Sequence, residues 1–502
     1  MEIIKISGNE LAEYLHDESR LSGNAEYLVF AKSEADIQDA VEFCLRRDIC
    51  LTIQGSRTGI TGGSVPAGGL ILNLERMNKI LGIRRDEAGS YFLRCEPGLK
   101  LAELREILFS RQYDISDWTA AAKIIWQEFI NSGKYIFPPD PTETSASLGG
   151  MASCNASGAR SYKYGATRLW LSNLKTYNLS AIKQDKLVPK PDITLPSKGV
   201  KNAAGYYLSE SSRDFDLYIG AEGTLAIITE LEIKLLPKPA HCWGVIQFFA
   251  GETAAVAFCE ELKQQSYTAS ALEYFDHNAL NLLRKYRQMW DTLPEMASNW
   301  KNAVYYEYEG DETELIEEAV FKAGDLAEKA GSSESNCWFA DAEAGIQQLK
   351  NFRHAVPEAI NAELDVIRQK DDRISKISTD LAVPAGYLHK MLRLYRQAEQ
   401  DGWQVIAFGH IGNDHLHTNI LVSDYQKWLS AKKLVIEWAK AAIAAGGSVS
   451  GEHGIGKIKR DLLQLMYGEK GIACFRSIKQ QFDPDWILNR GNIIEREPVP
   501  GD

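Results

Sequence analysis

Closely spaced cysteines are missing from this chain. Its eight cysteines stand at 44, 50, 95, 154, 242, 259, 337 and 474, and nowhere form C-x-x-C. A thiolate zinc site or an iron–sulfur cluster is thereby disfavoured, and free, mostly buried thiols in a reducing cytoplasm are expected. Long apolar runs are missing too: no segment approaches the ~20 residues needed to span a bilayer. Residues Met1 to Lys5 open a polar stretch with no apolar signal region, so a cytoplasmic location is expected. Association with a membrane would then be peripheral, through a redox partner. An excess of positive charge is also lacking. The net charge of −12 disfavours nucleic acid and anionic lipid as bulk partners, while leaving room for a local basic site that takes a carboxylate. Internal repeats and low-complexity tracts are absent.

What is present is the composition of a globular protein, 45% hydrophobic and 25% charged, in 502 residues that suggest two or three domains. Tyr27 to Ala31 reads as a strand. Ser33-Glu34-Ala35-Asp36 then resembles a capping box that opens a helix to about Arg47, and Ile49 to Gln54 is a second strand. The chain therefore starts with a β-α-β unit that runs into glycines. Leu70 to Leu74 and Tyr91 to Cys95 are strands, Leu99 to Arg111 a helix, and the amphipathic Trp118 to Ile130 a local insertion within 112–136. Pro237-Lys238-Pro239 is the best linker, because its prolines interrupt pairing. Beyond it, Val245 to Phe249, Glu252 to Gln265, Tyr305 to Tyr308 and Glu312 to Ala330 alternate as in an α+β domain.

Three glycine-rich stretches follow one another. Gln54 to Ser64 holds four glycines among hydroxyl residues, so its backbone N–H groups can curl around a pyrophosphate. It is neither G-x-G-x-x-G nor a Walker A sequence, which disfavours Rossmann NAD binding and ATP binding. Pro138 to Gly158 repeats the chemistry, with small residues that admit a flat ring. Asp216 to Thr224 adds a third stretch. Later, His410 and His417 with Glu452 and His453 offer imidazoles and a carboxylate, a donor set for a divalent metal with a base beside it. Residues 415–420 alternate with period two, so His415, His417 and Asn419 share one strand face.

These motifs, in this order, resemble the vanillyl-alcohol oxidase/p-cresol methylhydroxylase (PCMH/VAO) superfamily of FAD proteins. Within it, the chain is similar to the branch holding the glycolate oxidase flavin subunit, D-lactate dehydrogenase and D-2-hydroxyglutarate dehydrogenase. The resemblance runs from about Tyr27 to Asn492. It implies an α+β protein with a two-subdomain FAD-binding domain over 1–237 and an α/β, ferredoxin-like cap over 238–450. A segment over 451–502 would return to the flavin and complete the site. The implied FAD contacts are Gly55, Ser56, Arg57, Thr58, Gly59, Thr61, Gly62 and Gly63 in the first loop. The second loop supplies Pro139, Thr142, Thr144, Gly149, Gly150, Ala152, Asn155, Ser157 and Gly158. Glu222, Gly223, Ile228 and the tail residue Asn489 complete them. Residues 51–69 contain neither His nor Cys, so the flavin is expected to be noncovalent.

The resemblance also makes His410, His417 and Glu452 the metal ligands, for zinc or else manganese or iron, and His453 the general base. Arg353, Lys376 and Asn419 become the substrate contacts, with His415 able to join the metal or touch substrate. One departure is clear. The family's Asp-Gly-Asn before the second ligand is here Asn413-Asp414-His415, which removes a turn glycine and adds an imidazole. The expected function is FAD- and metal-dependent oxidation of a D-2-hydroxy acid such as D-2-hydroxyglutarate or D-lactate, with electrons passed to an external acceptor: a quinone, an electron-transfer flavoprotein or another redox partner. A glycolate or D-lactate oxidoreductase subunit of a larger complex is the alternative; a flavin-binding subunit without chemistry and a metal hydrolase are alternatives of other classes. A homodimer and membership of a complex both stay open.

Overall fold

The computed structural model describes residues 1–6, 11–180, 193–209, 213–290 and 293–497; the last residues of the expected C-terminal segment lie outside these. The first sheet contains β1 (Ile4–Lys5), β2 (Tyr27–Phe30), β3 (Leu51–Gln54) and β4 (Leu70–Asn73) in the order β1-β2-β4-β3. Helix α1 (Glu34–Arg47) links β2 to β3, and both of these strands run parallel to β4. Ser33 caps α1 by accepting from Asp36 N, as the sequence indicated, and Ile37, Val41 and Cys44 are buried against the sheet.

The second sheet is antiparallel, with order β5-β6-β9-β8, from β5 (Ile80–Arg85), β6 (Tyr91–Cys95), β8 (Leu171–Tyr177) and β9 (Ile227–Lys234). Between β6 and β8 lie α2 (Leu101–Ser110), α3 (Ala120–Asn131), β7 (Tyr135–Ile136), α4 (Leu148–Cys154) and α5 (Ser161–Tyr164). Helix α3 is no loose insertion: Trp126 and Phe129 are buried in the core of this sheet. The proline linker also differs from expectation. Leu236–Pro237 forms a short strand, β10, that pairs with β7 and sets Pro237 opposite Tyr135. Proline is tolerated there because the pair is a two-residue edge.

The third sheet is built from β11 (His241–Phe249), β12 (Ala271–Phe275), β13 (Asn302–Gly310), β14 (Cys337–Ala340), β15 (Ile377–Ser378), β16 (Leu381–Ala382), β17 (Gln404–Gly409) and β18 (His415–Leu421). Its order is β14-β11-β13-β12-β17-β18-β15, with β16 also on β18 and all pairs antiparallel. Helices cover both faces. Ala271, Phe275, Ile406 and Phe408 pack towards α7 (His277–Tyr286) and α9 (Glu343–Arg368). Leu272, Tyr274, Val405 and Ala407 pack towards α6 (Glu252–Lys263), α8 (Thr313–Lys329), α10 (Leu388–Gln400) and α11 (Tyr425–Ala444). The period-two alternation therefore places Glu273 and His410 on the α9 side.

A final helix, α12 (Arg460–Phe482), leads the chain back to the first sheet, where Leu488 bridges Leu51 in parallel. Buried Lys479 fixes this return by donating to Asp483 and to the carbonyls of Thr224 (2.7 Å) and Leu488 (2.8 Å). All eight cysteines are free thiols. No helix among the described residues is long and apolar enough to cross a membrane.

Candidate active site

The end of β17, a tight turn and the start of β18 bring the histidines together. Gly409 has φ +117°, and a Cβ there would fall 2.9 Å from the His417 ring, so glycine is required. The turn over 411–413 closes with Asp414 in the left-handed region at φ +50°. Asp takes this conformation more readily than most residues, and here Lys263 holds its carboxylate at 3.0 Å. That explains how the turn survives without its expected second glycine. On β18, His417 lies opposite Phe408, so His410, just past the strand end, folds back beside it.

Glu452 is where the set converges. Its Oε1 lies 3.0 Å from His410 Nε2 and 3.1 Å from His417 Nε2. Its Oε2 accepts from Ser157 Oγ (2.7 Å), Lys201 Nζ (2.7 Å) and Gly158 N (3.2 Å). Burial opposes ionisation of Glu452, yet His410 and Lys201 hold its pKa well below the usual carboxylate range. Behind it, Glu273 Oε1 lies 2.6 Å from His410 Nδ1, and its Oε2 accepts from Arg353 Nε at 2.7 Å. Burial alone would raise the Glu273 pKa, but His410 and Arg353 bring it down to about 2. Glu273 is therefore an acceptor and His410 Nδ1 a donor, which leaves the Nε2 lone pair facing another anion. Two acceptors 3.0 Å apart call for a cation between them, a proton or a metal ion. Burial disfavours a charged His410, but Glu273 and Glu452 raise its pKa. The donor set of imidazoles and a carboxylate fits zinc, iron or manganese.

Asp380 organises the other side. Its Oδ1 meets His415 Nε2 (2.7 Å) and lies 3.4 Å from His453 Nδ1. Its Oδ2 accepts from Ser450 Oγ, Lys459 Nζ and the backbone N–H of His453, at 2.7 to 2.9 Å. His453 stacks on His417 with ring centroids 4.9 Å apart. Burial pushes the His453 and His415 imidazoles down to about 3 and lowers that of His417. All three are neutral near pH 7. His415 is wholly enclosed, edge to face with the ring of His417 and against Gly451.

Arg353, on α9, is partly buried and donates through Nη1 to Thr142 Oγ1 at 3.2 Å. Beside it a cavity of about 130 Å³ is lined also by Arg105, Thr144, Lys350 and His354. Lys376 lies just before β15, on the α9 side of the sheet. Its exposed ammonium contacts Asn361 Oδ1 at 3.3 Å. Ser378 sits opposite Asn419 on β18, and Asn419 Oδ1 is buried without a hydrogen bond among the described residues.

All three glycine-rich loops meet the segment that carries Glu452. The second supplies Ser157 and Gly158 to its carboxylate. In the first, Thr61 Oγ1 donates to His453 O at 3.3 Å, and Thr61 O accepts from Lys457 N at 2.9 Å. In the third, Glu222 accepts from the N–H groups of Ile455 (2.6 Å) and Gly456 (2.7 Å). Asn489 ties the tail in by accepting from Ile53 N and donating to Glu222 O, both at 2.7 Å. Several expected flavin contacts thus have their side chains engaged with protein: Thr142 with Arg353, Ser157 with Glu452, and Glu222 and Asn489 with backbone. The first loop does fit a phosphate-bearing cofactor. Ser56 Oγ there is buried and unpaired among the described residues, while the backbone beside Gly59 faces open space.

Glu273, Asp380, Lys201 and Lys459 escaped the reading of the sequence as site residues. A signal existed for Glu273, a lone acid within the apolar strand Ala271-Leu272-Glu273-Tyr274-Phe275. Lys201 lies in no recognisable motif.

Comparison with known proteins identifies the family. Residues 239–493 match the C-terminal domain of FAD linked oxidases, and residues 25–123 match an FAD binding domain. The chain is 28% identical to a D-lactate dehydrogenase of Anaerostipes hadrus, over 97% of this chain and 94% of that protein. It is 26% identical to the glycolate oxidase subunit GlcD of Bacillus subtilis (strain 168), over 94% and 89%. A D-2-hydroxyglutarate dehydrogenase of Stutzerimonas stutzeri (strain A1501) is also 26% identical, over 93% and 90%. Among solved structures, an alkyldihydroxyacetonephosphate synthase shares the fold with a TM-score of 0.60 at 15% identity, over 95% of this chain and 77% of that one.

Proposed function

The chain belongs to the FAD-linked oxidases, and from that premise we propose that it oxidises a D-2-hydroxy acid to the 2-oxo acid, using FAD and a divalent metal ion held by His410, His417 and Glu452. One observation carries the reading: Glu452 is gripped from one side by two imidazoles and from the other by Ser157 and Gly158 of a flavin-type loop. Metal donors and cofactor loop are therefore bonded to the same carboxylate.

When bound, FAD would supply a hydride acceptor for the carbinol carbon, and a divalent cation held by His410, His417 and Glu452 would supply the charge that acidifies its hydroxyl. The protein's own groups have the remaining tasks. His453, neutral near pH 7, accepts the hydroxyl proton at Nε2, while the Asp380 carboxylate facing Nδ1 stabilises the imidazolium that forms. Arg353 binds the substrate carboxylate; Glu273 fixes its guanidinium and orients His410 at once. Asn419 and Lys376 contact the rest of the substrate from the same sheet face. Electrons leave to an external acceptor, since the scattered thiols offer no relay.

The test is anaerobic mixing of the FAD-loaded protein with D- and L-2-hydroxy acids. The flavin absorbance should bleach with a D-acid and persist with its L-enantiomer. Bleaching with none of them would remove the activity.

A further inference from the structure

A third imidazole lies against the two assigned to the metal. The ring centroids of His410, His415 and His417 form a nearly equilateral triangle, with sides of 5.4, 4.8 and 5.1 Å. Imidazoles that share one tetrahedral ion through nitrogens ~2.0–2.1 Å away hold their centroids about 5 Å apart. His415 and His417 are two residues apart on β18, so one strand face presents both. Ligand atoms of His410, His415 and Glu452 all lie within 4.8 Å of one another.

The bonding of His415 points the same way. Its Nε2 is taken by Asp380, a carboxylate whose other oxygen bonds the Lys459 ammonium, so Nε2 carries the proton and Nδ1 keeps its lone pair. Nδ1 has no hydrogen bond among the described residues, although the side chain is fully enclosed. A core histidine ordinarily pairs both nitrogens or shows one to water. The arrangement repeats that of His410, where Glu273 holds one nitrogen and leaves the other for a cation.

Resting on the metal reading above, we propose that His415 is a further metal ligand through Nδ1, so that His410, His415, His417 and Glu452 form the set. The related family pattern has asparagine at this position, so the replacement would set this chain apart. An added imidazole favours zinc, iron(II) or cobalt(II) over manganese and magnesium.

The test uses full-length, FAD-loaded protein, freed of metal by a chelator and given one equivalent of zinc. X-ray absorption at the zinc edge should count three imidazoles in the natural protein and two in His415→Asn, and zinc affinity should fall at least tenfold in the variant. Two imidazoles in the natural protein, or equal zinc affinity in both proteins, overturns the proposal. Should His415→Asn fail to fold, as judged by flavin retention, the imidazole count of the natural protein still decides. His417→Ala separates the underlying reading: zinc binding unchanged by that substitution rejects the metal site itself, and His415 with it. Loss of zinc in His417→Ala beside an unaltered His415→Asn rejects only the role of His415.

Discussion

The hydroxyl of Ser157 donates to Oε2 of Glu452 at 2.7 Å, joining residues 295 positions apart in sequence. One belongs to a glycine-rich loop suited to flavin, the other to the tetrad beside the histidines. Together with Lys201 it occupies one carboxylate oxygen and leaves the second for the imidazoles. Ser157→Ala should therefore lower metal affinity by ~10-fold or more while FAD stays bound. Metal analysis after dialysis, read beside flavin absorbance, checks this.

His453→Asn removes the proposed base but keeps a polar group of similar reach. The rate of flavin bleaching by substrate should fall ~10²–10⁴-fold, with FAD content unchanged. A rate close to that of the natural protein would move the proton acceptor elsewhere.

Arg353→Lys keeps a positive charge and loses the planar fork that bonds Glu273 and Thr142 and that we propose also holds the substrate carboxylate. We expect kcat/KM for the hydroxy acid to drop by ~100-fold, a typical size for losing a charge-assisted bond. The loss should appear mainly in KM. Steady-state kinetics with an artificial electron acceptor measures it.

Glu222 gives a pH dependence with a definite sign. Burial raises its carboxyl to about 7 from an ordinary value of 4.5, despite the N–H groups of Ile455 and Gly456. The folded protein thus holds this proton more tightly than the unfolded chain. Its contribution to stability is fully present below pH 4.5 and is lost as pH rises through 7, on the order of 3 kcal/mol in all. Denaturant unfolding across that window should show the decline, and Glu222→Gln should flatten it.

Lys479→Met would leave the Asp483 carboxylate buried without its partner and free the carbonyls of Thr224 and Leu488. A loss of about 3–5 kcal/mol is expected. Since Asn489 follows on the same returning segment, FAD retention should weaken in parallel, as a flavin-release assay would report.

Much of this molecule was legible in its sequence because local rules determine it. The Ser33 cap, the alternation along β18 and the ordered glycine loops each follow from residue types at short spacing. His410, His417 and Glu452 were legible as a set by resemblance, and the fold brings them together. The supporting shell was not legible. Glu273, Asp380 and Lys201 act through contacts across 35 or more residues of chain, which no local pattern encodes. Asp414 differs in another way: the turn lacks a glycine of the family pattern, and aspartate takes the left-handed conformation there with help from Lys263. Pro237 likewise suggested a break and instead sits in an edge pair.

The most direct test is diffraction at the zinc absorption edge from crystals of the FAD-loaded protein soaked in zinc. An anomalous peak is expected within bonding reach of Nε2 of His410, Nε2 of His417 and the Glu452 carboxylate, on the side facing the flavin ring. A peak elsewhere, or a flavin bound away from Ser157 and Thr61, would contradict it.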